Sequence, residues 1–537
     1  MVMDIEAEVL VPGQIAQWEK VDTVIGGKPK RPTICVDQRF LSEISEDAVN
    51  ALLLQNMPPV IFKRTGTLCR LRANTPTQTT IEVVRQDMIL GMMERSALYI
   101  NAQDDPVFPP TKVARDILAM PDWPFPSLSV VVSTPVLRPD GTILIQPGYD
   151  EASGLFYTPA GSLVVSEIPE NPSKKDAIQG AAFLLTEVLG DFPYVDQASR
   201  ANALAALITP IVRPVIDGPT PLFLFDKPTP GTGATLLVEL IANVVTGESA
   251  RLKKQSSNDE EMRKQITSCL LTGSQIIVFD NVDTKIHAPS LSSALTCRFW
   301  DDRILGQSKQ VSLPNLASWY ATGNNIQLAG DIPRRCCLIR IDAKVAKPWE
   351  RDTSQFLHPN IIGWAKDNRS EIVAKVLTIA RAWFVAGKPA GSARPLGSFE
   401  SWTEAIGGML EYAGVTGFLE NAPALLELDS GADEWSAFLA GWYEIFGSRP
   451  LLMKELLHEL WKDKALAEVM PEEIAQGIRG AHTQGAGIRI SRALSHKAGV
   501  IHSGLKLIRG KDGHRCQYTW AVEKQEMAGS QQVVSRE

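Results

Sequence analysis

The stretch Pro221 to Thr235, P-L-F-L-F-D-K-P-T-P-G-T-G-A-T, constrains the fold more than any other part of the chain, together with the adjoining run L-L-V-E-L-I-A-N-V-V. An apolar run of strand length, a loop dense in Pro and Gly, and a segment of helical period predict strand, loop and helix in that order. Glycines in such a loop let backbone N–H groups turn inward around phosphate oxygens, while the next helix presents its positive N-terminus. The expectation is a nucleotide pocket built from Pro230, Gly231, Thr232, Gly233, Ala234 and Thr235, with Thr235 as a Mg²⁺ ligand. The other reading, a strand-to-helix turn without a ligand, stays open on these residues alone.

Three segments beyond the loop narrow the choice. Ser274 to Val282, S-Q-I-I-V-F-D-N-V, is an apolar strand ending in Asp280, a carboxylate placed to reach the same metal through water. Leu316 to Asn325 is another strand, with Asn324 at its polar end placed to orient water. Gly330 to Asp342, G-D-I-P-R-R-C-C-L-I-R-I-D, sets Arg334 and Arg335 just before a third strand. Polar ends of parallel strands share one sheet edge, where open α/β folds bind ligands. Each residue taken alone also fits a capping Asp, a turn Asn or a surface Arg pair.

In this order the motifs resemble an AAA+ ATPase module, of the helicase-like type found beside primases in the replication modules of prophages and integrative elements. The spacing of Asp331, Arg334 and Arg335 after Asn324 resembles the segment that carries the arginine finger of ring-forming members. T-P-V-L-R-P-D-G-T-I-L-I-Q-P-G-Y-D at 134–150 and L-G-S-F-E-S-W-T-E-A-I-G-G-M-L-E-Y-A-G-V-T-G-F-L at 396–419 resemble the same group. The resemblance covers roughly 120–420. It implies an ATP- and Mg²⁺-dependent motor on DNA, a homo-hexamer, a primase as a partner, and a cytoplasmic location. It also implies a channel hairpin with a basic tip, which falls on Lys309 within I-L-G-Q-S-K-Q-V-S-L at 304–313.

Two positions depart from the family pattern. The lysine that follows the last loop glycine is Ala234, and the acid that follows the metal-binding Asp is Asn281, which cannot take a proton. Lys227, just before the loop, and Lys264 are the candidate replacement cations, and Asp283 is the candidate replacement acid. A cation at the outer phosphates stabilises developing charge, so these departures bear on turnover more than on binding.

A chain of 537 residues is too long for one core. We expect a multidomain α/β protein: a mixed α+β region at 1–126, a small β unit and helical collar at 127–216, the P-loop core with its parallel sheet at 217–343, a helical lid at 344–448, a winged helix at 449–524 and a tail at 525–537. The net charge of −7 provides no global attraction for nucleic acid, so any such contact must be local. Seven cysteines lack metal-ligand spacing, and no run of 18 apolar residues is present to span a membrane.

Residues 61–72 read as a hairpin turning at Thr65 and Gly66, with four cations that fit phosphate or a charged sheet edge. Pro106 to Pro126 reads as a connector, 127–170 as an antiparallel unit, and Ser290 to Asp302 as a helix. Near the C-terminus, seven Lys or Arg against one acid lie between Arg489 and Trp520. Arg489, Arg492 and Lys497 fall on the expected recognition helix, and Arg509, Lys511 and Arg515 on the wing. Two functions stand: an ATP-driven DNA helicase or translocase, or a hydrolysis-deficient DNA-binding scaffold, loader or regulator.

Overall fold

The computed structural model describes residues 31–524 apart from 76–77, 162, 257, 284, 287, 304–309, 428–429, 463–465, 467, 472–473, 476–482 and 512–516. Lys309 and Arg515, and most of the helix expected at 471–480, therefore lie outside the described residues.

At the centre is a parallel five-stranded sheet. In chain order its module contains β1 (Leu222–Lys227), α1 (Ala234–Thr246), β2 (Leu252–Lys253), α2 (Asp259–Leu271), β3 (Ile276–Val282), α3 (Pro289–Thr296), β4 (Phe299–Arg303), β5 (Gln310–Pro314), β6 (Ser318–Asn324) and β7 (Cys336–Arg340). The sheet order is β2-β3-β6-β1-β7, so β6 lies between the loop strand and the strand that ends in Asp280. All six residues of β1 are buried, as expected of a strand covered on both faces. Pairing of β1 with β6 runs from Leu222↔Trp319 to Lys227↔Asn324, which sets Lys227 and Asn324 side by side at the C-terminal sheet edge.

Asp280 and Asn281 sit where the β3–β6 register slips between Phe279 and Val282, and Asn281 takes φ +51°. An irregularity of this kind re-aims side chains at a strand end. The expected helix at 290–302 instead stops at Thr296, and β4 pairs with β5 in an antiparallel ladder. The misleading residue is Asp302, which is buried on the inner face because Arg263 and Thr267 bond its carboxylate, so the two-residue alternation of a strand is masked by a charge.

The helices Lys174–Phe183, Gln197–Val212, Arg369–Val385 and Glu400–Tyr412 share one hydrophobic core with the sheet. Asp191 to Pro193 separates the first two, and Gln197–Val212 is buried on almost every side. The β unit before them is mixed rather than purely antiparallel, since Val130–Val132 pairs parallel with Leu155–Tyr157. The residue run gives strand alternation but not strand direction.

At the N-terminal side, helices Leu41–Leu54, Gln86–Ser96 and Thr111–Ala119 pack around the parallel pair Thr33–Cys35 and Leu98–Ile100. The expected connector is thus part of a core: Val113, Ala114, Ile117, Trp123 and Phe125 are all buried. The hairpin Ile61–Arg64/Thr67–Thr75 turns at Thr65 and Gly66 with positive φ at both, the geometry that matches strand twist. Its cations are engaged within the protein: Lys63 with Asp122, Arg70 and Arg72 with Glu82, and the buried Arg64 with the carbonyls of Leu270 and Leu271 at the end of α2.

The C-terminal unit has its own core, and this core takes in Trp435, Phe438 and Trp442 from the helix Ser430–Phe446, upstream of the expected boundary at 449. Helices Met453–Lys462 and Thr483–Lys497 pack with a sheet ordered Leu451–Leu452, Tyr518–Lys524, Leu505–Lys511, Ile501–His502. Among the described residues no helix is long and apolar enough to cross a membrane.

Candidate nucleotide site

The loop between β1 and α1 folds as its glycines require. Gly231 (φ +79°) and Gly233 (φ +111°) occupy the left-handed region, and Gly233 is the residue from which α1 starts. Thr232 is buried, and its hydroxyl donates to the Thr229 carbonyl at 2.6 Å, which ties the loop across its base.

Asp280 is the hinge of the site. Its Oδ1 accepts from the Thr235 hydroxyl on α1 at 2.8 Å and from the Thr322 hydroxyl on β6 at 2.6 Å. Thr322 Oγ1 in turn accepts from the Asn281 N–H at 3.0 Å, so the irregular end of β3 is fixed to its neighbour strand. Thr235 and Asp280 together offer hard oxygen donors at the first turn of a helix that follows a glycine loop, a donor set that fits Mg²⁺ with phosphate.

Lys227 closes β1 and is only 6 % exposed. Burial lowers its pKa, and the charges of Asp280 and Asp226 oppose that shift. Asp226 is fully buried, and burial raises its pKa against the Ile326 N–H at 2.9 Å and the Arg340 guanidinium at 3.6 Å. Beside Lys227 in the register stands Asn324, whose buried Oδ1 has no hydrogen-bond partner among the described residues. An unpartnered buried acceptor costs about 1–3 kcal/mol unless something later bonds it. A loop with left-handed backbone at Gly231 and Gly233, a buried ammonium, a Thr–Asp pair and an open amide thus lie at one edge of the sheet, and these residues fit a Mg²⁺-nucleotide.

The remaining expected site residues separate into groups. Arg334 is 68 % exposed and pairs with Asp331 at 2.6 Å, whereas Arg335 is largely buried and bonds both the Ser292 carbonyl on α3 and Asp331. Of the two, only Arg334 is therefore free to leave this chain's surface. Asp283 pairs with Lys254 at 3.5 Å on the exposed β2 side of the sheet. Lys264 is engaged by Glu260 and Glu261 at the N-terminal end of α2, which raises its pKa, so it does not serve the loop.

On the C-terminal unit, Arg489 and Arg492 are exposed on the helix Thr483–Lys497. Lys497 Nζ lies 5.7 Å from the Trp435 ring centroid, and the Arg509 guanidinium lies 3.5 Å from that of Tyr518. Lys511 is exposed at the end of its strand.

Sequence reasoning missed Asp226, Thr322 and Arg340. The signal was present for Thr322, two residues before Asn324 on a strand already recognised, because alternation puts its side chain on the same face as Asn324. Asp226 was hidden inside an apolar run.

No family model and no curated protein matches the chain. Several solved structures are similar to it, and three of them follow. One is titled the A form apo structure of the NrS-1 C-terminal region, at 13 % identity over 88 % of this chain and 98 % of that chain, TM-score 0.37. Another is titled SCCmec type IV Cch, active helicase, at 11 % identity over 87 % and 93 %, TM-score 0.33. The third is a JCV helicase bound to a small molecule, at 13 % identity over 49 % and 71 %, TM-score 0.22. At these identities and TM-scores the likenesses carry no functional argument.

Proposed function

We propose that the chain is a nucleotide-binding motor of AAA+ type that acts on DNA, assembled as a homo-hexameric ring and working as a helicase or translocase. The observation that carries the nucleotide half is the Asp280 carboxylate held at 2.8 Å from the Thr235 hydroxyl, across the groove between β3 and the first turn of α1. The position of β6 between loop strand and acid strand supports it, since this brings Asn324 next to Lys227.

In this reading the backbone N–H groups of Gly231 to Thr235 cradle the phosphates, and Thr235 and Asp280 hold the metal. Mg²⁺, when bound, neutralises charge on the outer phosphates. Lys227 supplies the cation that Ala234 cannot. Asn324 orients water through its open Oδ1. Asn281 cannot act as a base, and Asp283 faces Lys254, so the chain holds its metal residues more completely than its base. Binding without fast turnover, the scaffold reading, is favoured by that single point.

The ring half rests on Arg334, exposed in the turn before β7 and so at the opposite end of the sheet from the loop, not on the shared edge its place in the sequence suggests, with the exposed Asp331 as its ion-pair partner among the described residues. Neither Arg334→Ala nor Asp280→Ala subunits alone should hydrolyse ATP, and mixing them should restore part of the activity, because each defect lies on a different side of a shared site. Loss without rescue in the mixture argues against a shared site. Arg335→Ala should instead lower stability, by about 1–3 kcal/mol for a bonded cation lost from a mostly buried position, as read in a melting curve.

The DNA half rests on the basic excess of the C-terminal helix. Arg489→Ala/Arg492→Ala should weaken duplex binding and reduce the slope of log K on log salt by up to about 1.8, since each neutralised phosphate contributes about 0.9. An unchanged slope would assign this unit to protein docking and leave Lys309 as the DNA contact.

A further inference from the structure

After β7 the chain makes a short 3-10 turn at Pro348–Glu350, and this turn lies against the loop. A Cβ added at Gly231 would stand 3.1 Å from Trp349 Cε3, 3.2 Å from its Cβ and 3.3 Å from its backbone nitrogen. The indole therefore touches the loop that the proposed function assigns to phosphates.

The turn is held from several sides. Lys347 Nζ bonds Glu350 at 2.9 Å, and Arg351 Nη2 donates to the Thr232 carbonyl at 3.4 Å. The Arg351 guanidinium lies 5.0 Å from the Phe356 ring centroid, and Asp191 accepts from the Leu357 and His358 N–H groups at 2.8 and 2.9 Å. Trp349 nevertheless remains 61 % exposed. A large aromatic on a braced turn, unburied and adjacent to a phosphate loop, has the chemistry of a stacking surface: every base presents a π face, and stacking on an aromatic ring contributes about 1–3 kcal/mol per base.

We propose that Trp349 is the platform on which the base of the nucleotide stacks. The proposal rests on the reading of Gly231 to Thr235 as a phosphate site and adds to it the part of the ligand that phosphates do not carry. Stacking depends on ring area and not on the hydrogen-bonding edge, so Trp349 favours purines over pyrimidines and does not separate adenine from guanine.

The test is calorimetric titration of the full chain with Mg²⁺-ATP, Mg²⁺-CTP and Mg²⁺-tripolyphosphate, in wild type, Trp349→Ala and Trp349→Phe. Trp349→Ala should weaken ATP on the order of tenfold and CTP less, and should leave tripolyphosphate unchanged, while Trp349→Phe should recover most of the ATP affinity. Unchanged or tighter ATP binding in Trp349→Ala, or equal losses for ATP and tripolyphosphate, would overturn the platform. Wild-type protein that binds tripolyphosphate as well as ATP would also overturn it, whereas failure of wild type to bind either would overturn the phosphate site itself.

Discussion

Lys227→Ala should cut ATP turnover by about two to three orders of magnitude, the loss seen when a single fixed donor to a transition-state charge is removed. The expectation comes from burial and position together. Lys227 ends β1 with 6 % of its surface exposed, beside Asn324 and under the influence of Asp280 and Asp226, and position 234 offers no ammonium. An amine that gives up its hydration at the mouth of a phosphate loop is placed to exchange water for phosphate oxygens. Lys264→Ala is the matched control and should leave turnover unchanged, because Glu260 and Glu261 already hold that side chain away from the site. If turnover survives Lys227→Ala and falls in Lys264→Ala, the cation belongs to α2 and not to the end of β1. If the chain binds but does not hydrolyse ATP, the same pair of variants is read in affinity, with Lys227→Ala the weaker binder.

The second large effect is on stability. Arg369→Ala should lower the unfolding free energy by at least about 3 kcal/mol, because several buried carbonyls lose a charged donor at about 1–3 kcal/mol for each one left unbonded. The guanidinium is buried beneath the end of α1 and donates to the carbonyls of Val244 and Val245, to those of Ala160 and Ser133, and to the Thr134 hydroxyl. It thereby satisfies carbonyls that a helix leaves open at its last turn and places a positive charge at the negative end of the dipole. One side chain thus joins the β unit, the loop helix and the helix Arg369–Val385. Burial pushes its pKa down to about 10, opposed by Tyr157, so it stays charged at neutral pH. Arg369→Lys should rescue little, since a point ammonium cannot reach carbonyls on three elements at once. A melting temperature unchanged in Arg369→Ala would contradict this anchoring of the loop helix.

The strand, loop and helix around Gly231 were legible because apolar runs and glycines act locally, and so were the ends of β3 and β6. Asp280 could be named from its place after an apolar run, but its partner Thr322 belongs to a strand 42 residues further on and is joined to it by sheet order, which no local pattern encodes. The split between Arg334 and Arg335 was invisible for a similar reason: two adjacent arginines look alike until one of them meets the Ser292 carbonyl on α3. Strand β4 carries no strand alternation in the sequence because Asp302 is a charge in a buried position, made tolerable by Arg263 and Thr267. Trp349 shows the limit from the other side, since a tryptophan in a loop gives no sign of which glycine it will cover.

The central claim is that Thr235 and Asp280 hold a metal with a nucleotide on the Gly231 loop, and calorimetric titration of the full chain with ATP tests it most directly, with Mg²⁺ and with EDTA, in wild type and in Asp280→Ala. The account predicts saturable binding of one nucleotide per chain in Mg²⁺, weakened by EDTA and weakened to the same level by Asp280→Ala even when Mg²⁺ is present. Absence of binding at millimolar nucleotide, or binding that responds to neither EDTA nor Asp280→Ala, would contradict it.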